Sequence, residues 1–318
     1  MVKERIDVHG HYFPPAYQQL LKRHHMDLLD GVAGPDWSLQ RQWEYMVQLN
    51  ISFSTLSLSS PHLHLGDRVE AAETARACNE YGAELTRKYP NRLAALASLP
   101  LPEIEDSIRE IRYCREVLGL RGFALLTNFR GVYLGSKTLE PVMEELNREP
   151  TLLTIHPTQP PQPPVGAAEE LPSPVMEYFI ETTRAVVNLM LKGTLRRYPN
   201  LHFVVPHGGA FLTVLSDRLF RLGSVLLKDN DLDIPGDLAR LYYDLAGFSM
   251  PKQFNLLRTV TDDSHLLYGS DSPFTNLSVC GRLAKEMDTK LDADLAEQIY
   301  RKNPQALFQK TGFNWRDE

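Results

Sequence analysis

The chain has 318 residues, of which 43% are hydrophobic and 23% charged, with 34 Lys plus Arg against 40 Asp plus Glu and a formal net charge of -6. This ordinary globular balance contains no basic block of the kind nucleic acid attracts. It contains no run of about 18 apolar residues, so a membrane span is not expected either.

In chain order, the first element is a strand over residues 5–11, Arg5-Ile6-Asp7-Val8-His9-Gly10-His11. Side chains alternate along a strand, so His9 and His11 share a face, with Asp7 one step below. The residues before it lead straight into this strand and leave no room for a signal peptide. Ser38 is the expected N-cap of a helix reaching residue 50, and a second strand covers 53–59. A long charged helix over 69–89 stops at Pro90, followed by a strand at 92–99. A helix over 104–118 ends at Gly119, a C-cap signal. Further strands are expected at 120–127, 151–156, 201–207, 241–245 and 266–271, with helices at 139–148, 174–198 and 291–311. Strands alternating with helices over this length predict a parallel α/β architecture. Eight strands without a GxGxxG motif favour a single (β/α)8 TIM-type barrel. Such a barrel needs about 250 residues, insertions make up the rest, and no linker divides the chain, so one domain over 1–318 is expected.

The stretch 157–174, PTQPPQPPVGAAEELPSP, holds seven prolines directly after the fifth strand. A stiff surface loop is the plain reading of such a composition. Its place at the end of a strand that finishes in His156 favours a lid over a site. The three cysteines, Cys78, Cys114 and Cys280, have no CxxC spacing and read as reduced core thiols in the cytoplasm.

Five residues stand out because each ends an apolar run: His9, His11, His156, His207 and Asp271. Parallel barrels gather their strand ends at one face, and imidazoles with a carboxylate collected there suit a divalent metal. A competing pair, His62 and His64, follows Pro61 and belongs to a loop, where pocket lining or surface exposure is the simpler role. His24, His25, His202 and His265 read as structural. Asp271 also fits a helix N-cap, although Ser270 and Ser272 would cap equally well.

The combination of a first-strand HxH, a fifth-strand His, a sixth-strand His and an eighth-strand Asp resembles the amidohydrolase superfamily. The segments Arg197-Tyr198-Pro199-Asn200-Leu201, His207-Gly208-Gly209, Tyr268-Gly269-Ser270-Asp271 and Asn303-Pro304 resemble its decarboxylase branch, typified by aminocarboxymuconate-semialdehyde decarboxylase. Ser59-Ser60-Pro61, the run from Leu126 to Gly135 and His156-Pro157-Thr158 are similar to 6-methylsalicylate decarboxylases.

The resemblance implies one divalent metal, zinc with manganese as the alternative, held by His9, His11, His156 and Asp271. His207 then stands beside the ion, or replaces Asp271 as a ligand. The fourth strand ends at Thr127 without the lysine that binuclear members carboxylate, so a single metal is implied. The implied reaction is non-oxidative loss of CO2 from a small aromatic carboxylate, with Asp271 and His207 moving the proton. A mononuclear hydrolase of a lactone, amide or ester shares the same ligands and is the alternative. Arg218 matches an arginine that in some relatives reaches a neighbouring subunit's site, which implies a homodimer or higher oligomer; a salt bridge with Asp217 is its plainer role. No arginine occurs between Met26 and Trp37, where some relatives carry one. His64, Trp37 and Phe274 are the remaining candidates for substrate contact.

Overall fold

The computed structural model describes residues 4–61, 63–227 and 232–315; residues 1–3, His62, 228–231 and 316–318 lie outside that set. Eight parallel strands alternate with helices: β1 Arg5–His11, β2 Ile51–Ser57, β3 Leu93–Ala95, β4 Gly122–Leu126, β5 Thr151–His156, β6 Leu201–Val205, β7 Tyr242–Asp244 and β8 Leu266–Leu267. β1, β2 and β3 pair in sequence, as do β4 through β8. Two seams close the ring. Between β3 and β4, Ala97 pairs with Phe123, and Ala97 N donates to Gly122 O at 2.8 Å. Between β8 and β1, Gly10 pairs with Ser272, while Asp271 N donates to His9 O at 2.8 Å and His11 N to Ser272 O at 2.7 Å. Each strand therefore has two neighbours, which is a (β/α)8 barrel.

The barrel interior takes apolar side chains from all eight strands: Ile6, Val8, Phe53, Ala94, Leu96, Ala124, Leu152, Val204, Tyr242 and Leu267. Leu307 and Phe308 of the helix Asn303–Thr311, with Phe313 beyond it, close this layer at the strand starts. A larger apolar cluster joins the strands' outer faces to the helices.

Local signals set several boundaries where the sequence puts them. Ser38 accepts from Arg41 N at the start of helix Leu39–Gln48, and Asp67 from Glu70 N at the start of Arg68–Lys88. The helix from Ile104 passes through a π turn and ends at Gly119, whose φ of 72° is left-handed. Two expectations need correction. The span 174–198 is not one helix: Glu177–Leu191 stops, Gly193 takes φ 64°, and Thr194–Arg197 forms a separate turn. The last strand is Leu266–Leu267 rather than 266–271, because the chain leaves β geometry before Asp271, whose φ is 56°.

Two insertions rise at the strand ends. After β1, Leu28–Leu29 and Val32–Ala33 form an antiparallel hairpin. Its turn, Asp30-Gly31, has φ 50° and 92°, the left-handed pair that Asp-Gly suits. After β5, residues 157–172 contain neither helix nor strand, and 161–171 are exposed. The hairpin tip packs on the end of that segment, where a Cβ on Gly31 would lie 3.1 Å from Pro172 Cα.

Candidate metal centre and active site

β1 delivers His9 and His11 to the same point, with their Nε2 atoms 3.1 Å apart. The seam with β8 brings Asp271 alongside: its Oδ1 lies 3.3 Å from His11 Nε2 and 3.5 Å from His9 Nε2. β5 adds His156. The four donor atoms of His9, His11, His156 and Asp271 lie within 4.8 Å of one another.

Each imidazole is oriented from behind. His9 Nδ1 lies 2.9 Å from Asp244 Oδ2, His11 Nδ1 3.3 Å from the Ser57 carbonyl, and His156 Nδ1 2.7 Å from the Pro157 carbonyl. An Nδ1–H on each ring satisfies these acceptors and leaves three Nε2 lone pairs aimed at the shared centre. That is the arrangement metal-binding histidines need. Three inward nitrogens and one carboxylate also match the donor set of a mononuclear site. Among the described residues this is the one such group, so the geometry fits a single divalent ion.

The packing around the centre is tight. A Cβ on Gly269 would lie 2.8 Å from His9 Cβ, so only glycine allows β8 to approach β1 here. Asp7 is fully buried and accepts from His9 N and Ser270 N, both at 3.0 Å, and from Ser270 Oγ at 2.6 Å. It thus pins β1 to the chain beyond β8. Asp271 does not cap the next helix; Asn276 does, accepting from Val279 N.

His207 follows β6. Its Nε2 lies 3.8 Å from Asp271 Oδ2, and its ring stacks on Phe179 at 6.2 Å. Its backbone has φ 54°, a strained value held by Asp244 Oδ1, which accepts His207 N at 3.0 Å. Asp244 therefore fixes both His9 and His207.

The charges are coupled. Burial opposes ionisation of Asp271, yet His11, His207 and His9 hold its carboxyl well below the usual range. Burial likewise works against a charged His9, but Asp244, Asp271 and Asp7 push it up to about 9. Burial and the neighbouring imidazoles push His156 well down. His9 and Asp271 are thus drawn toward their charged forms and His11 and His156 toward their neutral ones, and a divalent cation would take the centre by displacing protons.

A cavity of about 540 Å3 opens over these groups, within the range of small-molecule sites. The insertion hairpin contributes Val32 and Ala33, the end of the Pro-rich segment Pro174 and Val175, and the following helix Tyr178 and Phe179. Phe248, Phe274 and Thr275 come from loops after β7 and β8. Phe274 sits where expected, its ring 5.6 Å from His11. No lysine or arginine lines the cavity among the described residues.

The remaining substrate candidates do not reach it. Trp37 packs on Tyr12 at 6.1 Å and borders a separate groove. The His64 Nε2 turns to Glu103 at 3.2 Å instead. Arg218 is exposed on helix Leu212–Leu227, outside its own chain's cavity, and the expected bridge to Asp217 is made by Arg221. Sequence reasoning missed Asp244, Ser59 and Tyr178. Asp244 ends the apolar run Leu241-Tyr242-Tyr243, the same signal that marks Asp271. Ser59 Oγ lies 3.3 Å from His156 Nε2.

A family model described as amidohydrolase matches residues 6–310. The chain is 30% identical over 312 residues to the 6-methylsalicylic acid decarboxylase of Penicillium expansum, covering 93% of this chain and 96% of that protein. A solved amidohydrolase II shares 34% identity with a TM-score of 0.92, covering 96% of this chain and 100% of the other. The dihydroxybenzoic acid decarboxylase of Polaromonas sp. JS666, solved with manganese and 2-nitroresorcinol, has a TM-score of 0.82 at 21% identity, over 96% of this chain and 97% of that one. This last likeness is one of fold.

Proposed function

The chain belongs to the amidohydrolase family, and from that premise we propose that it is a metal-dependent, non-oxidative decarboxylase of a small, salicylate-like aromatic acid. The observation that carries the reading is the convergence of His9, His11, His156 and Asp271 at the base of an aromatic-walled cavity, with His207 beside them. The likeness to a 6-methylsalicylic acid decarboxylase along nearly the whole chain supports the same choice.

His9, His11, His156 and Asp271 would hold one divalent ion, zinc or manganese. When bound, that ion supplies Lewis-acid polarisation of the substrate's carboxylate and ortho oxygen. The chain's own residues meet the harder demand. Direct loss of CO2 would leave an aryl carbanion, so a proton must reach C1 first. The C1–carboxylate bond then breaks, its electron pair restores the aromatic ring, and CO2 departs. Asp271 is the proposed donor. Its histidine neighbours favour its ionised form, so the proton must first be passed to it, and His207, 3.8 Å away, is the neighbour placed to do so. Phe179, Phe248 and Phe274 would bound the ring and exclude water. The Pro-rich segment, whose end lines the cavity, is the proposed lid.

A homodimer, or higher oligomer, is part of the proposal. Helix Leu212–Leu227 leaves Val214, Val225 and Leu226 65–70% exposed, apolar side chains that a second copy could cover. Arg218 on the same helix would then bring the cationic group that the cavity wall lacks.

The test is CO2 release from a panel of ortho-hydroxybenzoates, run in D2O with metal content measured. The expected result is one metal per chain and one deuterium at the former carboxylate carbon. Hydrolysis of small lactones with no CO2 from any acid would overturn the reading.

A further inference from the structure

Asp30 sits at the tip of the insertion hairpin, 7% exposed. Its Oδ2 accepts from Ser60 Oγ at 2.5 Å, from Tyr178 Oη at 2.9 Å and from Gln159 N at 3.2 Å. Its carbonyl accepts from Ser173 N at 3.0 Å. Ser60 Oγ is also 2.6 Å from Thr158 Oγ1, so the hydroxyls run in a chain from Thr158 through Ser60 to the carboxylate. The donors are all neutral. The other oxygen, Oδ1, is buried and has no partner.

These four ties reach four separate parts of the chain: the loop after β2, the first residues after β5, the end of the Pro-rich segment and the helix Glu177–Leu191. Each touches the cavity or a residue that holds it. Val32 and Ala33 lie just beyond Asp30 on the hairpin, Pro174 and Val175 follow Ser173, and Tyr178 is itself a wall residue, its ring 5.8 Å from His156. Gln159 lies two residues past Pro157, whose carbonyl orients His156.

We propose that Asp30 is a positioning residue that clamps the hairpin, the post-β5 segment and Tyr178 into one wall, and thereby sets how tightly the cavity holds its substrate. A buried carboxylate collecting three donors is stronger than any single tie to a neutral group, because hydrogen bonds to charge are worth more and unmade ones leave buried donors stranded. Asp30 touches neither the proposed metal ligands nor the cavity interior. Its removal should therefore alter binding and leave the chemical step largely intact.

The kinetic part rests on the decarboxylase reading, so the experiment has two independent arms. Metal-loaded, full-length wild type, Asp30→Asn, Asp30→Ala and Tyr178→Phe are compared. With 6-methylsalicylate as probe, Asp30→Asn should raise KM about tenfold, the loss of one charge-assisted hydrogen bond, and hold kcat within about threefold. The double variant Asp30→Asn/Tyr178→Phe should lose less than the product of the single losses, since both break one network. By hydrogen exchange, which needs no activity, the Gln159 and Ser173 amides should open at least about tenfold faster in Asp30→Asn. If Asp30→Ala fails to fold, Asp30→Asn and Tyr178→Phe still decide. Unchanged exchange at both amides overturns the clamp whatever the enzyme does. Faster exchange with unchanged KM overturns its role in substrate binding. A wild type that releases no CO2 but keeps the Asp30-dependent exchange refutes the decarboxylase reading and leaves the clamp supported.

Discussion

The two ends of the barrel handle polarity in opposite ways. At the strand ends, four histidines and a carboxylate crowd together below the cavity, and two of the backbones involved, His207 and Asp271, sit at φ 54° and 56°. At the strand starts, aromatic rings fill the space: Phe308 lies 4.9 Å from Phe313, 5.9 Å from Phe53 and 6.4 Å from Trp315. The buried charge near that end, Arg5, is held by the Leu49 carbonyl at 2.7 Å and Asp288 at 2.6 Å, with the Tyr300 ring 4.7 Å away. One end accepts strain and crowded, mutually coupled charge, which suits an ion and a substrate. The other packs rings against rings and pairs its buried charge, which holds the ring closed.

Exchanging damage between the ends tests this division. The largest effect should come from Asp271→Asn, which removes a ligand and the proposed proton donor together: CO2 release should fall by more than about 10⁴-fold while circular dichroism stays native. His207→Ala, which spares the ligands, should lose about 10²–10⁴-fold in kcat at unchanged metal content by elemental analysis. At the opposite end, Phe308→Ala should cost about 3–5 kcal/mol in denaturant unfolding and leave activity per folded chain unchanged. A catalytic defect in Phe308→Ala would erase the distinction. Asp244→Asn should fall between these cases, weakening metal affinity about 10–100-fold in a chelator competition through the loosened His9 ring.

The smallest effect sharpens the comparison within one strand. His202 begins β6 as His207 follows its end. Burial, with help from Lys310, lowers His202 to about 4 from 6.5. The unfolded chain therefore binds the proton more readily between those values. The stabilisation is complete above about pH 6.5 and is lost as pH falls toward 4. His202→Gln should flatten that acid limb in thermal melts without altering the activity profile. A parallel change in activity would show the two ends to be coupled.

The architecture was legible because strand and helix periods alternate cleanly and because caps such as Ser38 and Gly119 act locally. The proposed ligand set was legible because a polar residue closing an apolar run is conspicuous. Asp244 carried the same signal and was passed over, since a carboxylate's role depends on which ring lies across from it. Asp30 gave no signal: its four partners are spread from Ser60 to Tyr178, and only folding gathers them. Trp37 and His64 lie outside the cavity lining for a related reason. Both lie near the right strand ends, but a loop does not reveal which way its side chains turn. The break at Gly193 was missed because the helical pattern runs on across it.

The seam between β8 and β1 holds a last consequence. Backbone pairing there rests on a handful of hydrogen bonds around Gly10 and Ser272, helped by Asp7. The proposed ligands straddle that same seam, His9 and His11 on one side and Asp271 on the other. A bound ion would thus act as a rivet joining the first and last strands of the ring. Loss of the ion would then free the barrel to unzip along one line, and resistance to unfolding would become a gauge of metal supply as much as of sequence.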